Sequence, residues 1–475
     1  MNTPASKPLV IDVDDTLLRT DMLLESFWTA VGKDTVTALR ATFRHFSNRA
    51  RVKHEMAAIS DMDVSRLPLN EKVVALANEA RAEGREVVLA SGSDQLLVNR
   101  LADRLELDGA HLASDSAINL TGSRKKAALV ERYGDGGFDY VGDSKVDLSV
   151  WQNADRAYSV APSKAILDGL KSLGKETHII DGGWKFLDLI KALRPHQWIK
   201  NVLLLLPLIA AHRTDTTGLG AVLLAMVAFS LAASSIYIVN DLLDLDADRQ
   251  HEKKRNRPCA AGTVPIRIGM ITSCLLGVSA LTLAALVDWK LLGLVGVYMS
   301  LSLAYSVILK RQRWVDIWVL AILYTLRVVA GGVAADVTAS GWLIAFVFPV
   351  FMALGCVKRL TELARAKHRR RLPGRAYAKR DRPDLLNMSI VSALNANIIF
   401  LTYTYSETAY RLYAGIWELR WCVIPISVWM FRMISTGWKG TQDYDPIVFA
   451  VRDRTGLVLS VIVVLGLLNA AAWVQ

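Results

Sequence analysis

A chain of 475 residues exceeds the size at which one hydrophobic core usually keeps growing, so at least two domains are expected. Mean hydropathy of +0.28 with 52% apolar residues argues against an ordinary soluble protein, and 21% charged residues argues against a purely intramembrane one. The net charge of +11 does not point to nucleic acid, because the basic residues concentrate in short loops between apolar segments, where they set topology. Cys259, Cys274, Cys356 and Cys422 lack paired metal spacing, which leaves disulfide and zinc roles without support.

Polar and apolar character separate near residue 185, which predicts domains at 1–185 and 186–475. Met1 to Pro8 is short and polar and reads straight into an acidic motif, unlike a secretory signal. Leu9 to Val13, Glu86 to Ala90 and Phe138 to Val141 are short buried-strand candidates with amphipathic segments between them, the order of an α/β fold with a parallel sheet.

The first strand ends in DVDDT, so Asp12 and Asp14 lie two residues apart where open α/β sheets put their sites. A carboxylate nucleophile beside a carboxyl that can shuttle a proton suits phosphoryl transfer through an aspartyl-phosphate. Ser91 follows the apolar run EVVLA, Lys126 precedes a helical stretch, and Asp143 and Asp147 lie in GDSKVD after a strand. A hydroxyl, a cation and two further acids can hold a phosphoryl oxygen, neutralise its charge and coordinate Mg²⁺.

These four elements in this order resemble the haloacid dehalogenase phosphatase superfamily over residues 8 to 180. The resemblance implies Asp12 as nucleophile, Asp14 as general acid/base, Ser91 as phosphate ligand, and Lys126 as charge clamp with Lys125 as its substitute. It also implies Asp12, Asp14 and Asp143 around Mg²⁺, and a small helical cap from Arg19 to Ala80. A domain that keeps these residues only to dock or regulate is the alternative.

Nine spanning candidates follow by the criterion of about 17 to 25 residues: 197–212, 218–239, 267–287, 290–308, 315–335, 342–357, 390–408, 414–435 and 456–474. The loops at Lys253 to Arg257, Lys310 to Arg313 and Arg365 to Arg382 are strongly basic and fall on one side, whereas His212 to Gly218 and Asp336 to Gly341 carry few positive charges. The positive-inside rule makes the basic loops and the N-terminal domain cytoplasmic, and an odd span count puts the C-terminus outside.

In NDLLDLDAD, helical placement sets Asn240, Asp241, Asp244 and Asp248 within roughly a 100° arc, with Asp246 pointing away. Carboxylates gathered at a helix end repel unless a cation joins them, and hard oxygens suit Mg²⁺ bridging phosphates. A solvated acidic helix end is the bland alternative. His251, Lys254, Arg255 and Arg257 follow where a loop could fold back over an anion, although they could equally serve topology alone.

Asp316, Tyr324, Arg327 and Gly331 share one face of the fifth span, and an Arg inside a bilayer faces a cavity or a partner by default. Lys358, Arg359 and Glu362 form another polar face, with Arg194 and Lys200 at the opening of the first span. A charged cavity at the inner leaflet is expected.

NDLLDLDADRQHEKKRNRP resembles the first aspartate-rich motif of the UbiA superfamily of intramembrane prenyltransferases, which implies nine helices and a Mg²⁺-diphosphate site. LRPHQWIKN, AAGTVP, YTLRVVAGGVA, KRLTEL and the RDR at Arg452 to Arg454 resemble that superfamily's decaprenyl-phosphate phosphoribosyltransferases over residues 190 to 475. That resemblance implies polyprenyl monophosphate as nucleophile and phosphoribosyl pyrophosphate as donor. It gives metal and pyrophosphate to Asn240, Asp241, Asp244 and Asp248, and phosphate clamping to Arg257, Lys358 and Arg359, with Lys200, Lys254 and Arg327 as further substrate-binding candidates.

Two departures stand out. Prenyl-diphosphate users carry a second motif of two Asp spaced by four, whereas Asp316 here is followed by Leu320, and the usual His-Pro is His251-Glu252. The expected activity is a Mg²⁺-dependent phosphoribosyl transfer in a bacterial-type inner membrane, with the N-terminal domain removing the ribose 5-phosphate. An aromatic prenyltransferase and a phosphatase anchored by an inert membrane domain are the alternatives. The expected partners are the two substrates and the bilayer, with a second copy of the chain left open.

Overall fold

The computed structural model describes residues 7–115, 118–213, 215–366, 372, 375–443 and 445–472. Most of Met1 to Pro8 and part of the basic loop Arg365 to Arg382 lie outside the described residues. The chain divides into two compact units, residues 1–193 with 237–272, and residues 194–236 with 273–475.

The first unit is built on a parallel sheet of six strands, β1 (Leu9–Ile11), β2 (Val87–Asp94), β3 (Leu112–Ser114), β4 (Asp139–Gly142), β5 (Ala157–Val160) and β6 (Thr177–Ile180). Their order is β3-β2-β1-β4-β5-β6. The expected strands correspond to β1, β2 and β4. The sheet is covered on both faces, because alternate residues of a strand point to opposite sides. Leu9, Ile11 and Leu89 enter one core with the helix Glu71–Ala82, while Val10, Ala90 and Tyr140 enter another with Leu129 and Trp151.

After β3 the chain returns to the other side of β1, so the order reverses between β1 and β4. Side chains leaving the carboxyl ends of these strands converge at that reversal. Between β1 and β2, inside the expected cap, lie the helices Met22–Lys33, Thr35–Arg44 and Arg49–Ser60, started by Asp21, Asp34 and Asn48, whose side chains accept from backbone N–H groups of the first turns.

Seven helices among the described residues are long and apolar enough to cross a membrane: Thr216–Leu243, Ile266–Val287, Trp289–Val307, Val315–Ala334, Gly341–Arg365, Lys379–Tyr403 and Arg454–Ala471. The two other expected spans are broken. Residues 197–212 fold as a 3₁₀ stretch, Pro195–Leu205, followed by the short helix Leu206–Ala210, in whose first turn Pro207 lies. Residues 414–435 divide at Cys422 into Ile416–Trp421 and Val423–Lys439, with Pro425 in the first turn of the second helix, where its missing N–H is tolerated.

Gly331 shows how closely this unit packs, since a Cβ there would lie 1.9 Å from the Leu204 carbonyl oxygen. Its place on the polar face of its helix therefore reflects backbone approach.

Candidate active sites

Asp12 leaves the end of β1 and starts an irregular turn in which Asp14 is extended and Asp15 has a φ of 54°. The turn aims its carboxylates in two directions. Asp12 faces Asp143 and Asp147, and one oxygen from each of these three acids lies within 4.8 Å of the others. Asp14 faces away from them: Oδ1 accepts from the Met22 N–H at 2.8 Å, and Oδ2 accepts from the Ser93 and Ser91 hydroxyls at 2.7 and 3.1 Å. Ser91 and Asp14 thus meet, and Asp147, not the Asp14 side chain, is the third member of the acid group.

The lysine is Lys125, not Lys126. Lys125 Nζ is buried and donates to Asp12 Oδ1 at 2.8 Å and to the Tyr140 hydroxyl at 3.0 Å, while Lys126 is half-buried. Neighbours on a helix diverge by about 100°, so only one of the pair can face the acids. Tyr140, which the sequence reading passed over, donates in turn to Asp147 Oδ1 at 2.9 Å. Asp147 Oδ2 accepts from the Ser144 hydroxyl and N–H at 2.8 and 3.0 Å, and Thr16 Oγ1 donates to Asp143 at 3.1 Å.

Three acids beside one lysine are short of positive charge. Burial raises the Asp12 carboxyl above its ordinary value, Lys125 opposing and Asp147 and Asp14 adding to the rise. Burial, with Asp12 and Asp147 nearby, pushes Asp143 up to about 8. Burial alone would lower the Lys125 ammonium, but Asp12 and Asp147 hold it above its ordinary value. A divalent cation with oxygen ligands fits this group and would reverse the crowding.

The aspartate motif belongs to the same compact unit. The helix Thr216–Leu243 ends just before Asp244, which opens the short helix Leu245–Arg249, and the bonds Asp244 N–H to Asn240 O (3.1 Å) and Asp248 N–H to Asp244 O (2.7 Å) carry the helical course across the break. Asp241 and Asp248 are buried and converge on Arg257, whose Nη1 donates to them at 3.0 and 2.6 Å. Lys254 approaches Asp248 at 4.0 Å, and Asp246 instead accepts from Gln250 at 3.2 Å. Burial lifts the Asp248 carboxyl to about 6, with Arg257 opposing. Two carboxylates aimed at one cation suit a metal–diphosphate site in which Arg257 turns to the phosphate oxygens.

The same segment is fastened to the helix Met22–Lys33. Arg249 donates through Nη1 and Nη2 to both oxygens of the fully buried Glu25, at 3.0 and 2.5 Å, and through Nε to the Ala260 carbonyl at 2.9 Å. Thr20 Oγ1 also donates to Glu25, at 2.7 Å. Gly262, at a φ of +67°, lies where a Cβ would be 2.7 Å from the Arg19 carbonyl oxygen.

In the second unit, the cations expected to grip phosphate are engaged within the protein. Arg327 is buried and donates to Asn201 Oδ1 (3.0 Å), the Leu323 carbonyl (2.7 Å) and the Tyr298 hydroxyl (2.9 Å). Arg359 is fully buried and grips both oxygens of Asp316, at 2.5 and 2.9 Å, together with Glu362 at 2.5 Å and Tyr305 at 2.9 Å. Arg375 adds a contact to Asp316 at 3.2 Å. Arg359, expected to clamp phosphate, is here paired with a buried carboxylate on another helix, a partner the sequence does not show.

Lys200 donates to Asp445 and lies 5.8 Å from the Tyr324 ring. Burial works against the Asp445 carboxylate, but Lys200 and Lys358 outweigh it and hold the group down at about 2. Half-buried Lys358 thus belongs to this cluster.

Seven apolar helices among the described residues, the first of them running into a buried carboxylate motif, define a multi-pass membrane protein. The UbiA prenyltransferase family model matches residues 202–450, and the chain belongs to that family. It is similar to the uncharacterized protein y4nM of Sinorhizobium fredii, 32% identical over 465 residues that cover 96% of this chain and 89% of that one. It is also similar to the decaprenyl-phosphate phosphoribosyltransferase of Mycobacterium tuberculosis, 36% identical over 282 residues, covering 56% of this chain and 88% of that protein. Among solved structures, a haloacid dehalogenase family hydrolase from Salmonella enterica serovar Typhi shares 17% identity, covering 38% of this chain and 68% of its own with a TM-score of 0.29.

Proposed function

We propose that the chain transfers 5-phosphoribose from phosphoribosyl pyrophosphate to polyprenyl monophosphate, and that its N-terminal domain then removes the 5-phosphate to leave polyprenyl-phosphoryl ribose. Residues 1–185 are assigned to the phosphatase and 186–475 to the transferase. The observation that carries the donor assignment is Asp316: both its oxygens are taken by Arg359, so the acid nearest to a second aspartate motif is already neutralised. A donor served by one motif fits that arrangement, and the mycobacterial relative's name supports it.

In the first step an oxygen of the lipid phosphate attacks ribose C1, and pyrophosphate leaves with the bonding electron pair. Asn240, Asp241, Asp244 and Asp248 hold the diphosphate end, with Arg257 and Lys254 as cations for the phosphate oxygens. Within the second unit, Arg327 is held by Asn201 and Tyr298. Mg²⁺, when bound, supplies charge neutralisation for the departing pyrophosphate.

In the second step Asp12 attacks the 5-phosphate phosphorus and Asp14 gives its proton to the departing ribose oxygen. Asp14 then takes a proton from the water that cleaves the aspartyl-phosphate. Lys125 holds Asp12 and neutralises the phosphoryl group, Ser91 binds a phosphoryl oxygen, and Asp143 and Asp147 hold Mg²⁺ with Asp12. The N-terminal domain is assigned to the cytoplasmic face of a bacterial inner membrane, in keeping with the basic loops.

Mass spectrometry of lipids after incubation with phosphoribosyl pyrophosphate and polyprenyl phosphate tests the whole sequence. Polyprenyl-phosphoryl ribose is expected. Consumption of a prenyl diphosphate with an aromatic acceptor, and none of phosphoribosyl pyrophosphate, would overturn the proposal.

A further inference from the structure

The helix Thr35–Arg44 in the cap between β1 and β2 is amphipathic in the inverted sense. Its small residues Ala38 and Ala41 are buried, packed with Ala30, Val31 and Met56, while its large apolar residues face outward. Val36 is 57% exposed, Leu39 39%, Phe43 76% and, just beyond the helix end, Phe46 80%. On a helical wheel Val36, Leu39 and Phe43 fall within roughly a 60° arc, on the side away from Ala38 and Ala41. A face meant for water would carry the opposite assignment, and a contiguous apolar patch on a folded surface marks something that covers it.

The charges beside the patch identify the cover. From Thr35 to Arg51 the sequence contains no Asp or Glu but has Arg40, Arg44, Arg49 and Arg51. Arg40 and Arg44 are exposed on the flank of the apolar stripe, and Arg51 is exposed beyond it. Aromatic and aliphatic side chains bordered by arginines match the acyl–headgroup boundary of an anionic bilayer, in which the rings enter the apolar layer and the guanidinium groups stay with lipid phosphates. The chain carries its own spanning helices, so such a surface is always at hand.

We propose that Thr35–Arg44 with Phe46 is an interfacial anchor that seats the cap in the headgroup layer of an anionic membrane. The inference is independent of the phosphoribosyl assignment, since it needs only the spans and this helix. It makes the Asp12 centre one that works at the membrane surface, suited to a phosphate ester carried by a lipid.

The test uses the full chain in nanodiscs, with exposed Cys274 changed to Ser and an environment-sensitive fluorophore placed on Ser47→Cys, or on Lys171→Cys as reference. With phosphatidylglycerol and a nitroxide lipid present, quenching at residue 47 is expected to exceed that at residue 171 by about threefold or more. Val36→Ser/Leu39→Ser/Phe43→Ser/Phe46→Ser should bring it to the reference level, and Arg40→Gln/Arg44→Gln should remove its dependence on phosphatidylglycerol. Hydrolysis of p-nitrophenyl phosphate monitors folding in every variant, because none of these side chains belongs to the acid centre. Equal quenching at 47 and 171 would overturn the proposal. So would a blue shift at 47 that grows with protein concentration in detergent, which signals a second copy. A blue shift of equal size with and without lipid, which signals cover by another part of the chain, would overturn it as well.

Discussion

Two groups of carboxylates in one compact unit differ in how they are neutralised. Asp12, Asp143 and Asp147 are drawn within 4.8 Å of each other with Lys125 as their cation, whereas Asp241 and Asp248 already share the guanidinium of Arg257. The first group is short of charge and shows it in raised carboxyl groups, an arrangement that calls for a metal before it can act as a nucleophile site. The second has a guanidinium shared by two acids, with Asp248 still lifted to about 6 by burial, so on the proposed reading a diphosphate would draw Arg257 from acids to phosphate.

The comparison breaks most sharply on the nucleophile. Asp12→Asn should lower phosphatase turnover by about a thousandfold or more while phosphoribosyl transfer persists, so that the 5-phosphorylated lipid accumulates. Loss of the transfer step in that variant would show that the two centres do not act in sequence. Asp241→Ala should lower transfer by about a hundredfold or more and leave hydrolysis of a soluble ester within about threefold of the parent protein. A parallel fall in both activities would make the motif structural.

The lysine pair sharpens the first centre. Lys125→Met should reduce phosphatase turnover by roughly a hundredfold, Lys126→Met by less than about threefold. The reverse order would restore the sequence expectation.

The smallest effect is on stability. Because Asp143 titrates near 8 instead of at 3.8, the metal-free folded site keeps a proton that the unfolded chain has lost between those values. Stability therefore falls as pH rises through that window. Mg²⁺ needs the ionised acids, so it should raise the melting temperature more at about pH 8.5 than at about pH 5.5. An equal gain at both would remove the acid cluster as its site.

Asp12, Asp14 and Asp143 could be singled out in the sequence because each follows a short apolar strand, whereas Ser91 follows an apolar run but lies inside the longer β2. Lys125 was not distinguishable from Lys126, since two neighbours at a helix start can be told apart only by the phase of that helix. Helical arithmetic found Asp241 and Asp248 on one face even though the helix breaks at Asp244. It could not foresee that Asp316 would consume Arg359, because that pairing joins residues 43 apart on two different helices. Seven helices long and apolar enough to cross a membrane were readable from apolar length, while Pro195, Pro207 and Pro425 mark the stretches whose helices are interrupted or short.

Glu25 and Arg249 are 224 residues apart in sequence, yet each is buried against the other. A gene cut between the two segments would separate the pair, leaving Glu25 with Thr20 and Arg249 with the Ala260 carbonyl. The ion pair thus works as a clasp between two stretches that the chain order keeps far apart.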